Sequence, residues 1–88
     1  MVDYDQETVE ARIRQSFARQ GAMETLGASL SRVSPGVVEI ELEYDRKLTQ
    51  QHGFLHAGVI SAALDTACSY AAYTVTTPEV SLLTIEFK

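Results

Sequence analysis

Residues 56–74, HAGVISAALDTACSYAAYT, decide the fold of this chain. The stretch contains no proline, and its apolar side chains are spread almost all round a helical wheel. A helix that is apolar on nearly every side is typical of a buried element, so we expect it at the centre of the fold. Thr77 and Pro78 follow it and predict where it ends.

Two strands are predicted on the N-terminal side of this helix. Residues 26–31 alternate between apolar and small or polar side chains, and Pro35 and Gly36 then predict a turn. From residue 38 to residue 45, apolar and acidic side chains alternate strictly. That pattern is typical of an antiparallel strand with one face on the core and one face in water.

The two ends of the chain complete the predicted order of elements. Residues 5–20 carry apolar side chains every four positions, which predicts an amphipathic helix that stops at Gly21. Residues 80–88 are rich in Leu, Ile, Thr and Phe and predict a strand that is cut off by the end of the sequence. The order predicts an α+β fold in which an antiparallel sheet wraps around a central buried helix. Three strands can hardly cover such a helix, so we expect further C-terminal strands or a partner chain.

Length and composition limit the possible classes of protein. The chain has 88 residues, enough for one small domain, and we take residues 1–88 as that domain. Hydrophobic residues make up 45% and charged residues 22%, which predicts a packed core rather than disorder. The net charge is -5, and only 7 Lys and Arg are scattered along the chain, which argues against binding of nucleic acid.

Cysteine content and the N-terminus indicate the compartment. Cys68 is alone, which excludes an internal disulfide, and its apolar surroundings predict a buried thiol in a reducing cytoplasm. Residues 1–10 are acidic and polar, unlike a signal peptide. The candidate membrane segment, residues 57–75, carries Asp65, whose charge costs ~2.5–3.5 kcal/mol at a bilayer centre, so we expect no membrane association.

Asp65 is the first candidate functional residue. An ionised carboxylate in the middle of an apolar helix is costly unless it is hydrogen-bonded or lines a cavity, which favours a catalytic role. The alternative is a carboxylate that bonds to a neighbouring hydroxyl or amide and serves packing. Small residues recur every three or four positions along this helix, which would allow close approach of a second helix or of a thin substrate. The stripe consists of Gly58, Ser61, Ala62, Asp65 itself, Ser69 and Ala72.

The start of the same helix is the second candidate feature. Unpaired N–H groups at a helix N-terminus, together with the macrodipole, suit a developing oxyanion. We therefore expect the N–H of Ala57, together with that of Gly58, to form an oxyanion hole. A metal site is not expected at His52 and His56, because no Cys, Asp or Glu stands near them at ligand spacing. A Ser-His-Asp hydrolase is disfavoured too, since the sequence has no G-x-S-x-G elbow.

The run QQHGFLHAG at residues 50–58, followed by ALDTA at residues 63–67, resembles hotdog-fold acyl-CoA thioesterases of the phenylacetate-degradation type. Their signature is Asn-x-x-x-x-x-His-Gly-Gly and then an Asp in the helix. Residues 82–88 resemble the strand after that helix, so the likeness covers nearly the whole chain as the N-terminal part of such a domain. The resemblance implies a hotdog fold, hydrolysis of acyl-CoA without metal or cofactor, and a homodimer or homotetramer whose active sites lie at the dimer interface.

Carried over by position, the resemblance assigns a role to five residues. Asp65 would be the nucleophile or general base, Ala57 the oxyanion donor, and His56 a residue that shapes the helix start. Gln50 stands where the family has an Asn that positions the thioester or water, and Thr84 where some members have a hydroxyl near the attacking water. The expected substrates are aryl- or short- to medium-chain acyl-CoA thioesters. The alternatives are a hotdog protein that binds acyl-CoA without turnover and a hotdog dehydratase.

Overall fold

The computed structural model describes residues 6–77. They form an α+β arrangement, as the sequence predicts. In chain order its elements are α1 (Gln6–Ala18), α2 (Gly21–Leu26), β1 (Ala28–Ser34), β2 (Val37–Leu42), a 3₁₀ turn (Arg46–Leu48) and α3 (Ala57–Tyr73). The strand predicted at residues 80–88 lies outside the described residues.

The short helix α2 was not predicted by the sequence pattern. Gly21 begins α2 instead of ending α1, which stops earlier, at Ala18. Met23 is only 2% exposed, so α2 is held by burial of one side chain rather than by a long apolar face. Gly27 ends it in the left-handed conformation, with φ 67°, and its N–H bonds to the carbonyl of Glu24. Strand β1 therefore begins at residue 28 and not at residue 26.

Strands β1 and β2 form the predicted antiparallel hairpin around Pro35 and Gly36. Gly36 has a φ of 75°, which the turn requires and which side chains other than glycine rarely adopt. An irregularity at Ser31 lets Leu30 pair with Ile40 while Arg32 pairs with Glu39. Val38, Ile40 and Leu42 of β2 are half-buried and its glutamates are exposed, as their alternation predicts. The strand ends at residue 42, three residues before the predicted alternation ends.

The core lies where α1, the hairpin and α3 meet. Val9 and Ile13 of α1 pack with Val33 of β1 and Tyr70 of α3. Phe17 extends this cluster, with its ring centroid 6.3 Å from that of Tyr70. The C-terminal half of α3 is thus held between the N-terminal helix and the sheet.

Helix α3 is confirmed as a continuous helix, but among residues 6–77 it is covered on one side only. Its buried residues are Ala63, Thr66 and Tyr70, whereas Ile60 and Leu64 are 48% and 53% exposed. The expectation of burial on nearly every side is therefore wrong for the described part of the chain. The described elements pack against one face of α3, and an apolar groove of about 440 Å³ lies between β2 and α3, with Ile60 and Leu64 among its lining residues. No helix within residues 6–77 has the length and apolar character to cross a bilayer.

Candidate active site

The segment between β2 and α3 folds back on itself and fixes the position of the first residue of α3. Asp45 caps the 3₁₀ turn, since its Oδ1 accepts the N–H of Lys47 at 2.9 Å. Thr49 and Leu55 pair as an isolated antiparallel bridge. One residue further, the N–H of His56 donates to the carbonyl of Leu48 at 2.9 Å. Residues 49–55 are therefore a loop closed at its base, and α3 starts at a fixed point.

Gln50 lies inside this closed loop. Its N–H donates to Phe54 O at 2.8 Å, and its carbonyl accepts the N–H of Gly53 at 3.1 Å. Tyr44 adds a hydrogen bond from its hydroxyl to Gly53 O at 2.8 Å. The side-chain oxygen of Gln50 accepts the N–H of His52, so this oxygen shapes the loop. The side-chain NH₂ is the group of Gln50 that remains to donate to a ligand.

At the first turn of α3, the two predicted oxyanion donors differ. The Nδ1 of His56 accepts the N–H of Gly58 at 2.8 Å, so the side chain of His56 is the N-cap of α3. The carbonyl of His56 accepts the next two amides, those of Val59 and Ile60. The N–H of Ala57 has no acceptor among residues 6–77. Ala57 therefore offers the available donor, while Gly58 is used by the cap.

The absence of a side chain at Gly58 is what lets the imidazole cap the helix. A Cβ at this position would lie 3.0 Å from His56 Nδ1 and 3.2 Å from its Cε1. Both distances are shorter than ordinary van der Waals contact. The glycine is thus explained by the close approach of the imidazole, and a larger residue would force that ring to move.

We expect His56→Ala to reduce the free energy of unfolding by about 0.5–2 kcal/mol, because it removes the cap of α3. Urea unfolding monitored by circular dichroism measures this change. His56→Asn should keep most of the stability, since asparagine is a good N-cap. His52→Ala, a change in an exposed residue of the same loop, is the control and should be close to neutral. Equal stability of His56→Ala and the wild type would contradict the capping role.

Asp65 lies near the middle of α3, between the exposed Leu64 and the buried Thr66. It is half-buried in this chain, not enclosed as the sequence pattern predicts. Ala57 and Asp65 are eight positions apart on α3, which at 1.5 Å per residue separates them by ~12 Å along the axis. The available N–H and the carboxylate of one chain are therefore too far apart to act on one carbonyl group.

The other predicted site features have different outcomes. Thr84 lies outside the described residues. Cys68 is exposed, so the predicted buried thiol is wrong. Among residues 6–77, no three His, Cys, Asp or Glu side chains are grouped so that they could hold a metal ion. Sequence reasoning missed a partly buried polar network of Ser16, Gln20, Thr66 and Tyr70, whose members are up to 54 positions apart. The sequence carries no signal for it, because none of these residues belongs to a recognisable motif.

Comparison with solved structures finds a thioesterase family protein from Silicibacter pomeroyi. It is 54% identical to this chain with a TM-score of 0.86, and the match covers 91% of this chain and 59% of that protein. A comparison with curated proteins finds a protein of Sulfurisphaera tokodaii named "Putative esterase". It is 36% identical over 62 residues, which are 70% of this chain and 45% of that protein. No family model matches the chain. The chain spans about half the length of these two relatives.

Proposed function

We propose that the protein is an acyl-CoA thioesterase of the hotdog fold and the phenylacetate-degradation type. Its substrates would be aryl- or short- to medium-chain acyl-CoA thioesters, and its products the free acid and CoA. The observation that carries the proposal is the 54% identity and close structural similarity to a thioesterase family protein. The chemistry of α3 supports it, since this helix combines an available N–H at its first residue with a carboxylate near its middle.

In the proposed reaction, the thioester carbonyl binds at the start of α3. The N–H of Ala57 donates to the carbonyl oxygen and stabilises the negative charge that develops there. Asp65 then either removes a proton from the attacking water or attacks the carbonyl carbon itself. If water attacks, the bond from carbon to sulfur breaks, the proton taken by Asp65 passes to the departing sulfur, and CoA leaves as the thiol. If Asp65 attacks, CoA leaves as an acyl–Asp65 anhydride forms, and water then cleaves this anhydride to give the acid and the free carboxylate.

We further propose that each active site combines two copies of the chain. The ~12 Å between Ala57 and Asp65 along one helix is too long for both groups to reach one carbonyl. Two copies of α3 that run antiparallel about a two-fold axis bring the start of one helix beside the middle of the other. The exposed Ile60 and Leu64 offer apolar surface that a second copy could cover, and the small residues of α3 allow close approach. A homodimer then carries two sites, each with Ala57 of one copy and Asp65 of the other.

An Ala57→Gly variant should keep or raise the rate of thioester hydrolysis, because it preserves the N–H and removes a methyl group beside it. The rate of thiol release at saturating substrate measures this. A variant that folds normally but loses most of its activity would contradict the assignment of this N–H as the oxyanion donor.

The two alternatives are a dehydratase and an acyl-CoA-binding protein without turnover. A dehydratase needs a histidine that faces the substrate beside the carboxylate. In this chain, Nδ1 of His56 is used to cap α3, which leaves only its Nε2 for such a role. A non-catalytic protein would bind acyl-CoA with no release of thiol.

The test of the proposal is release of free thiol from a panel of acyl-CoA thioesters, with aryl, short-chain and medium-chain members. Turnover that saturates with at least one class is the expected result. Binding of the same thioesters, measured by calorimetry without any thiol release, would support the non-catalytic alternative and overturn the proposed hydrolysis. Addition of water to 2-enoyl-CoA without thiol release would support the dehydratase.

A further inference from the structure

Four side chains join the junction of α1 and α2 to α3 through hydrogen bonds. The Nε2 of Gln20 donates to the hydroxyl of Tyr70 at 2.8 Å, and its Oε1 accepts from Thr66 Oγ1 at 3.3 Å. The hydroxyls of Ser16 and Tyr70 lie 2.9 Å apart and share a hydrogen bond. We call the contacts of Gln20 with Thr66 and Tyr70 the Gln20 clamp.

The clamp is anchored on its N-terminal side by the backbone of Gln20. The N–H of Gln20 donates to Phe17 O at 3.0 Å, and its carbonyl accepts the N–H of Glu24 at 3.2 Å. Gln20 is thus tied both to the end of α1 and to the first turn of α2. Its backbone is fixed on both sides, and its side-chain amide is held in one orientation by the bonds to Thr66 and Tyr70.

On its other side, the clamp contacts two residues of α3 that are one helical turn apart, Thr66 and Tyr70. Thr66 is 8% exposed and Tyr70 is 3% exposed, so their hydroxyls are largely removed from water. A buried hydroxyl without a partner is costly, and one amide can satisfy both only at one rotation and one height of α3. Apolar contacts alone would tolerate small rotations and shifts. The clamp therefore specifies how α3 is set against the rest of the chain.

We propose that the Gln20 clamp positions Asp65 for catalysis, with Gln20 and Thr66 as positioning residues. Thr66 follows Asp65 directly, so any rotation or shift of α3 that the clamp prevents would carry the carboxylate with it. The inference rests on the proposed function, because it concerns the carboxylate to which hydrolysis is assigned. The inference adds that the N-terminal helices determine the position of the Asp65 carboxylate, although they carry no reacting group themselves.

The test compares Thr66→Val with Thr66→Ser and Thr74→Val. Valine keeps the shape of threonine but cannot donate to Gln20, whereas serine can. Thr74→Val is the matched control, since Thr74 is 4% exposed and lies nine positions from Asp65 at the end of the same helix. Its hydroxyl also makes two hydrogen bonds, donating to Ala71 O and accepting the N–H of Gly36, so it joins the end of α3 to the hairpin turn. Two quantities are measured at one pH for each protein. They are kcat and KM for the best thioester of the panel, and the ¹³C chemical shift of the Asp65 carboxyl carbon.

For Thr66→Val we expect kcat to fall by about tenfold or more with KM changed less than about twofold, because a small displacement of a reacting group is costly. The Asp65 carboxyl signal should shift as well. Thr66→Ser should restore both, and Thr74→Val should change neither, even where thermal unfolding shows that it is equally destabilised.

A Thr66→Val protein whose Asp65 signal and kcat match those of Thr74→Val would overturn the inference and leave the clamp a purely structural feature. The carboxyl signal decides this point without any turnover. A wild type that hydrolyses no thioester therefore refutes the proposed function, while the shift of the Asp65 signal still supports or refutes the positioning role.

Discussion

An Asp65→Asn protein is expected to lose thioester hydrolysis by about 10²–10⁴-fold, the contribution of a positioned acid–base group. The amide has nearly the same shape as the carboxylate, but it cannot accept a proton from water or attack the carbonyl carbon. Steady-state thiol release from the best substrate of the panel measures the loss. The loss should appear in kcat rather than KM, because the proposed role of Asp65 lies in the chemical step.

Two comparisons separate chemistry from folding in this experiment. The thermal unfolding and oligomeric state of Asp65→Asn should match those of the wild type. Ser69→Ala, one turn further along α3, changes a small residue of the same helix and should keep most of the activity. Turnover by Asp65→Asn within a few-fold of the wild type would show that the carboxylate serves packing and that another group activates water.

The second large effect is expected when two inactive variants are mixed. Ala57→Pro removes the proposed oxyanion donor, and the backbone at this position can accommodate proline. Ala57 is the first residue of α3, where proline is well tolerated, and His56 has ψ 134°, in the range that a residue before proline prefers. Alone, this variant should lose about 10²–10³-fold in kcat, as other enzymes do when an oxyanion donor is removed.

In a heterodimer of Ala57→Pro with Asp65→Asn, one site combines both defects and the other combines neither. About half of the dimers are mixed after random exchange, and each has one sound site, so about a quarter of all sites should be active. A mixture of two inactive proteins should thus regain roughly a quarter of the wild-type activity. A shared site is the reason for this recovery, since a site within one chain would be defective in every copy.

Subunit exchange must be shown in the same mixture, for example with two affinity tags that copurify. The double variant Ala57→Pro/Asp65→Asn mixed with wild type is the matched control. Its heterodimers have two sites with one defect each, so they should contribute almost no activity. Exchange without recovery in the first mixture would mean that Ala57 and Asp65 do not meet across an interface.

Much of the fold could be predicted from the sequence, because its signals are local. The predicted central helix at residues 56–74 agrees to within one residue with α3, since no proline interrupts it and apolar side chains fill its length. The turn at Pro35 and Gly36 was equally clear. Helix α2 was not, because its 6 residues are too few for a periodic pattern and its stability comes from the burial of Met23. Such burial depends on the packing of distant elements.

For the candidate site, the sequence identified residue types and spacing but not how hydrogen bonds divide between them. Ala57 and Gly58 look equivalent as donors until the imidazole of His56 is seen to accept from Gly58. The Gln20 clamp could not be predicted at all, because Gln20 and Tyr70 are 50 positions apart and neither lies in a recognisable motif. The half-burial of Asp65 could not be predicted either, since the helical wheel does not show which sides of α3 other elements cover.

The closed base of the loop at residues 49–55 has a consequence for the energetics of substrate binding. The pairing of Thr49 with Leu55 and the bond from His56 N–H to Leu48 O hold the start of α3 before any substrate arrives. The entropy needed to order this segment is then spent during folding, and the Ala57 N–H is preorganised. We therefore expect encounter with substrate to require no loop closure, so that the rate of productive capture depends on diffusion and fit rather than on a conformational gate.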